Sequence, residues 1–308
     1  MRVSRKILFT LALAVVAASA EPTRSQLPAR GSLLTVTSEP GATVWVDGIR
    51  FGKTDANGEL TMRDLGGVRH TIVVRADGFK ETSKAITSGR GDVKIALVKT
   101  TDPAELAFQE AERIGSQDRQ KAAAAYRKAI GLRPTYAAAY IALARVLSDS
   151  GDYDGAFKAI RDLRRVAPQN VEAAAVEGRI YRDSGDDEKA IAAFRRAITL
   201  GRGFQPEAYT GLGLLYKERA ESAGASGNFA DETTNYDEAA KDLTAALKQL
   251  SGAPDAIVLY QLLGLVYERQ KKFPDALRVY NEFLERFPKS DEASAVRSFI
   301  EQIKKQMP

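Results

Sequence analysis

The chain has 308 residues, no cysteine, one histidine, and 45 basic against 40 acidic side chains, a formal charge of +5. Hydrophobic residues make up 44% and charged residues 28%, the balance of a folded globular chain with room for about two domains. The missing cysteines exclude a disulfide framework, a thiol nucleophile, cysteine-ligated zinc and iron–sulfur clusters, and the lone His70 excludes a histidine-rich metal site.

Residues 1–20 read as an export signal. Arg2, Arg5 and Lys6 give a positive start, Ile7 to Val16 an apolar run, and Ala18-Ser19-Ala20 the small residues of a cleavage site. The stretch Ile7–Ala20 is shorter than the ~20 apolar residues a spanning helix needs. No stable membrane span is therefore expected once the signal is cut, with an uncleaved anchor as the alternative. The expected location is the periplasm, or secretion into the cell envelope. Cleavage takes away three positive charges and leaves +2. Residues 33–99 then hold 10 basic and 8 acidic side chains, and residues 100–308 hold 30 and 31. Neither half has the clustered cations that binding by counterion release requires, so no nucleic-acid partner is expected.

A loose segment at 21–32, with Pro22 and Pro28, leads into β-rich runs: Leu33–Thr37, Thr43–Val46, Glu59–Met62, His70–Ala76, Phe79–Thr87 and Asp92–Val98. Asp47-Gly48, Asn57-Gly58, Gly66-Gly67, Asp77-Gly78 and Gly89–Gly91 separate them, residue types that tolerate the positive φ of tight turns. Six or seven short strands in about 65 residues predict a small antiparallel β-sandwich over 33–99, with Trp45, Ile72, Val74, Phe79 and Ile95 as its core. The segment Ser38-Glu39-Pro40-Gly41-Ala42-Thr43-Val44-Trp45-Val46-Asp47-Gly48 resembles the PEGA domain family, and Phe51-Gly52-Lys53-Thr54, His70–Val74 and Asp77-Gly78-Phe79 extend the resemblance. Thr54–Glu59 is also similar to the carboxypeptidase-regulatory type of sandwich. Both resemblances imply an extracytoplasmic sandwich without catalytic residues. Asp55-x-Asn57-x-Glu59 lacks the rest of a calcium loop and reads as a polar turn. Arg90-Gly91-Asp92 likewise reads as turn chemistry.

A fixed period governs 103–290. Pro134 and Pro168 lie 34 residues apart, and Ala122-x3-Tyr126, Ala156-x3-Ile160 and Ala190-x3-Phe194 keep the same step. Tyr209-x2-Leu212-Gly213-x2-Tyr216 is echoed by Tyr260-x2-Leu263-Gly264-x2-Tyr267, and Ala276-x3-Tyr280 with Pro288 completes the last unit. These spacings resemble the tetratricopeptide repeat (TPR), a helix–turn–helix unit. Small residues at Ala144, Gly178, Gly213 and Gly264 let two helices approach, and Tyr126, Ile160, Phe194 and Tyr280 fill the space between them. Five units are expected: 103–136, 137–170, 171–204, 206–253 and 257–290. The first is divergent, with Gln109 and Glu110 where Leu-Gly or Leu-Ala is expected, and reads as a cap; the third has Arg202 in place of its closing proline. About 14 extra residues near 220–235 predict a flexible Gly/Ser-rich loop or a frayed prolonged helix. Residues 291–308 predict a capping helix with Ala293, Val296, Phe299, Ile300 and Ile303 on one face. Asp149-x-Gly151-Asp152-x-Asp154 and Asp183-x-Gly185-Asp186-Asp187 fall at the inter-helix turn and predict N-caps rather than calcium ligands.

The fold class is thus α+β multidomain, a β-sandwich followed by an α-helical TPR solenoid. The TPR resemblance implies peptide or protein binding on the concave face built by the first helices. The face is expected to carry Arg145, Arg179, Arg182 and Lys217 with Leu214 and Leu265, a set suited to an acidic or C-terminal peptide with an apolar side chain. The competing reading is that these charges are paired along their own helices, as Arg179 with Asp183. No metal, cofactor or catalytic constellation is expected, so the chain is not expected to be an enzyme. The expected function is a non-enzymatic envelope scaffold. The alternative is a protein that binds envelope glycan or peptidoglycan through the sandwich while the array recruits an enzyme.

Overall fold

A computed structural model describes residues 33–307, apart from 64, 66–68 and 251–252. The expected signal at 1–20, the linker at 21–32 and the Gly66-Gly67 turn lie outside the described residues. Seven strands come first: β1 Leu33–Thr37, β2 Thr43–Val46, β3 Ile49–Lys53, β4 Glu59–Arg63, β5 His70–Arg75, β6 Thr82–Ile86 and β7 Gly91–Lys94. They form a three-stranded sheet, β4-β1-β7, and a four-stranded sheet, β3-β2-β5-β6. Leu34, Val36 and Met62 of the first and Val44, Val46, Ile72 and Val74 of the second belong to one buried apolar cluster. The β2–β3 hairpin turns at Asp47 (φ 51°) and Gly48 (φ 81°), two consecutive positive values that match the twist of the flanking strands.

Two expectations need correction here. The sheets are not wholly antiparallel, because β1 and β7 pair in parallel. A chain that reverses at each of six turns brings its seventh strand back in the direction of its first. Trp45 is also not a core residue. Alternation along β2 turns Val44 and Val46 inward, so Trp45 faces outward and is half-buried, with the Arg75 guanidinium 4.9 Å from its ring centroid. Of the other core candidates, Ile72, Val74 and Ile95 are buried and Phe79 is half-buried against the same cluster.

Eleven α-helices follow among the described residues. They pair as α1 Pro103–Ile114 with α2 Arg119–Leu132, α3 Ala137–Ser148 with α4 Tyr153–Val166, and α5 Val171–Asp183 with α6 Asp187–Leu200. Next come α7 Pro206–Ala225 with α8 Phe229–Leu250 and α9 Ala256–Arg269 with α10 Phe273–Arg286, and α11 Ala293–Gln306 closes the array. Asp118, Asp152 and Asp186, spaced by 34 residues, each accept a hydrogen bond from a backbone N–H three positions on and start the second helix of a pair.

The small–large rule sets the spacing within each pair. A Cβ on Gly178 would lie 2.6 Å from the Phe194 ring, and one on Gly213 would lie 2.6 Å from Leu243. Gly264 meets Tyr280 in the same way. In the fourth unit Ala239 and Leu243 therefore play the parts of Ala190 and Phe194. Of the two alternatives for the extra residues at 220–235, the prolonged helix is observed and the loop is not, since 220–225 and 229–235 are helical. They lengthen α7 to 20 and α8 to 22 residues, against 12 to 14 in the other pairs, joined at Ser226–Asn228. In α11, Ala293, Val296, Ile300 and Ile303 are buried, while Phe299 is partly exposed beside Tyr280.

Two outcomes follow from this packing. Gly213→Leu forces a side chain into space held by Leu243 and should lower unfolding free energy by roughly 1–3 kcal/mol in chemical denaturation. An unchanged midpoint would place Gly213 outside the helix contact. Asp242 on α8 is buried, and burial pushes its carboxyl up to about 6. The folded chain thus holds this proton more tightly than the unfolded chain, so the carboxylate is destabilising above pH 6 and neutral near pH 4. Asp242→Asn should be more stable than the parent by roughly 1–3 kcal/mol at pH 7.5 and equal to it at pH 4.

Candidate functional site

The site begins with how the β domain is held. Gln109 on α1 is buried, and its carboxamide donates to the Phe79 carbonyl and accepts from the Gly78 N–H, both at 2.7 Å. One turn earlier the buried Glu105 accepts from the Glu81 N–H at 2.7 Å and from the Thr100 hydroxyl at 2.9 Å. Arg75 of β5 lies between the rings of Trp45 and Phe108, 4.9 and 4.7 Å from their centroids, and donates to Glu112 and Glu81 at 2.7 and 2.9 Å. Burial pushes the Glu112 carboxyl up, against the pull of Arg75. These contacts explain the divergent first repeat. Gln109 stands where the repeat would have Leu, because this step of α1 meets the β5–β6 turn.

On the opposite side, one arginine reaches across the array. Arg145 of α3 donates to both carboxylate oxygens of Glu207 on α7, at 2.7 and 2.6 Å, and to Glu172 on α5 at 3.1 Å. Arg145 thus ties the first helices of three successive pairs together on the side of the array that lines the cavity described next. Burial opposes its charge, but Glu207 and then Glu172 outweigh burial and raise its pKa.

Between this face and the β2–β3 hairpin lies a cavity of about 730 Å³, lined by Trp45, Ile49 and Arg50 of the hairpin and by residues of α3, α5, α7 and α9. Three of the six expected site residues, Arg145, Arg179 and Arg182, line it. They are already engaged. Arg179 donates to Asp149 at 2.5 Å and lies 3.5 Å from Asp183, and Arg182 donates to Asp183 at 2.8 Å. Lys217 lies off the cavity and pairs with Glu221 at 2.8 Å, while Leu214 and Leu265 are half-buried and not part of the lining. The structure thus combines both readings of the row, placing half of it at a cavity while neutralising it with Glu172, Glu207, Asp149 and Asp183.

Sequence reasoning missed the apolar surface of this cavity. Phe204 and Val258 are 42% and 56% exposed within it. Phe204 belongs to the α6–α7 connection, where Arg202 (φ 52°) and Gly203 (φ 89°) replace the closing proline. That missing proline was the available signal. Among the described residues no three His, Asp or Glu side chains gather to hold a metal ion, and no helix is long and apolar enough to cross a membrane.

Residues 141–204 and 225–291 match the tetratricopeptide repeat family model. The helix pairs over these residues resemble tetratricopeptide repeats. The chain is 30% identical over 136 residues to a DnaJ homolog subfamily C member 7 homolog of Schizosaccharomyces pombe, covering 44% of this chain and 28% of that relative. It therefore spans under a third of the length of the curated relative it matches. Yeast Tom70 is similar in fold, with a TM-score of 0.53 at 19% identity, over 67% of this chain and 41% of that one. A thermophilic TPR protein of Thermus thermophilus has a TM-score of 0.47 at 18% identity, over 65% of this chain and 98% of its own.

The Arg145 junction yields a stability test. Arg145→Leu leaves Glu172 and Glu207 facing one another without their cation and should cost roughly 1–3 kcal/mol. Adding Glu207→Gln should recover part of that loss. Equal denaturation curves for the parent and Arg145→Leu would mean that the guanidinium does not hold the three helices together.

Proposed function

We propose that this chain is a non-enzymatic adaptor of the bacterial cell envelope, exported by residues 1–20, that binds a protein or peptide partner on the concave face of its TPR array. Tetratricopeptide arrays are in general protein-interaction scaffolds. The observation that carries the reading is the pair Phe204 and Val258, left exposed inside a concave cavity, whereas other exposed apolar side chains of the array, such as Leu132 and Phe229, lie outside its lining. Exposed apolar side chains in a concavity are the usual anchor points for a partner's own apolar residues. The β domain, PEGA-like by its Pro40-Gly41-Ala42 to Asp47-Gly48 segment, serves as the spacer and wall beside that face.

Glycan binding has one observation in its favour, the outward turn of Trp45. Arg75 already covers that ring, so a sugar stacking on the same face displaces a cation that also holds Glu81 and Glu112. The protein partner is the stronger reading.

A single cellular experiment tests both parts. The full chain, with a photo-crosslinking amino acid at Val258 or at the exposed Lys128 on α2, is irradiated in cells and recovered from the envelope fraction. The mature chain is expected to begin at Glu21, with protein adducts from position 258 and not from 128. A cytoplasmic, uncut chain would refute export, and equal adduct yields at the two positions would refute the concave site.

A further inference from the structure

We infer that the β2–β3 hairpin and the inner face of the array form one composite site, whose ligand is an extended peptide that carries a bulky apolar side chain and an acidic one. This deepens the concave-face reading above and rests on it. An isolated array has only its own helices to offer. Here the second wall is the hairpin, with Trp45, Ile49 and Arg50 bordering the same cavity as Val258 and Phe204.

The shape favours an extended chain. The lining runs from Arg145 on α3 through α5 and α7 to Val258 on α9. Three interhelical steps cover roughly 20–30 Å, or about six to eight residues of extended peptide. The exposed side chains of Phe204 and Val258 supply an apolar anchor point on the array side.

The charge of the ligand follows from which lining charges are already matched. Arg145, Arg179 and Arg182 are each paired with carboxylates of the array. On the hairpin, Asp47 is held 2.7 Å from His70 Nδ1 and also accepts from the Thr71 N–H at 2.8 Å. Asp255 stands at the start of α9, where the helix N-terminus compensates a negative charge. Arg50 is different. It is exposed, borders the cavity, and forms no ion pair among the described residues. The charge that complements Arg50 is therefore a carboxylate on the ligand.

The test uses the full mature chain and a phage-displayed library of random decapeptides. Selection should enrich peptides that carry both an apolar residue (Leu, Ile, Phe or Met) and an acidic one (Asp or Glu). Fluorescence anisotropy with the selected peptide, synthesised with a fluorescein label, then compares variants. Arg50→Glu should weaken that peptide at least tenfold, and reselection on Arg50→Glu should replace the acidic residue by Lys or Arg. Val258→Asp should abolish binding. Both positions are exposed, so circular dichroism should confirm intact folding. If Val258→Asp abolishes binding while Arg50→Glu leaves affinity and selected sequence unchanged, the hairpin is no part of the site and the concave reading survives alone. If neither substitution matters, or if nothing is enriched, both readings fall.

Discussion

The carboxamide of Gln109 spans the boundary between two kinds of structure. It donates to one backbone carbonyl of the β5–β6 turn and accepts from the preceding backbone N–H, so two groups that a turn would otherwise leave to water are satisfied by a helix. Only a side chain with adjacent donor and acceptor does this, and Gln109 is buried where a rotation of the β domain would break both bonds at once. Glu105 and the Arg75 sandwich between Trp45 and Phe108 extend the junction along α1. The cavity depends on this attachment, because it sets the β2–β3 hairpin beside the concave side of the array.

The array supplies the other half of the geometry through shape rather than charge. Each pair closes on a small residue against a large one, Gly178 on Phe194 and Gly213 on Leu243, and the resulting tilt accumulates into curvature. Arg145 is then a consequence of curvature as much as a cause. Its bonds to α5 and α7 form only because the inner faces have converged, and once formed they resist flattening. The cavity exists because the curved face and the hairpin are both held but do not meet.

How much of this is legible in the sequence depends on the range of the forces involved. Helix pairs and their caps recur with the period, because stacking demands the same size at the same offset, and Asp118, Asp152 and Asp186 show it directly. Trp45 has the size of a core residue, yet the alternation of Val44 and Val46 assigns it to the outer face. The direction of β7 needs only the count of turns. The residues at 220–235 look loop-like from their Gly and Ser content, but Ala220 and Tyr236 are buried and keep both helices intact. The pairing of Arg145 with Glu207, 62 positions away, follows from curvature and has no local signature. The departures from the repeat, at Gln109 and Arg202, are visible as irregularities: the first marks where α1 meets the β domain, and the second lies in the connection that carries Phe204 to the cavity.

The central claim is that the β domain is held at one position over the concave face. The chain has no cysteine of its own, so spin labels can be placed on Arg50→Cys and Val258→Cys, both at exposed positions bordering the cavity. Double electron–electron resonance on the full chain should give one narrow inter-label distance, broadened when Gln109→Ala is added. A broad distribution in the parent, or one that Gln109→Ala leaves unchanged, would contradict the account.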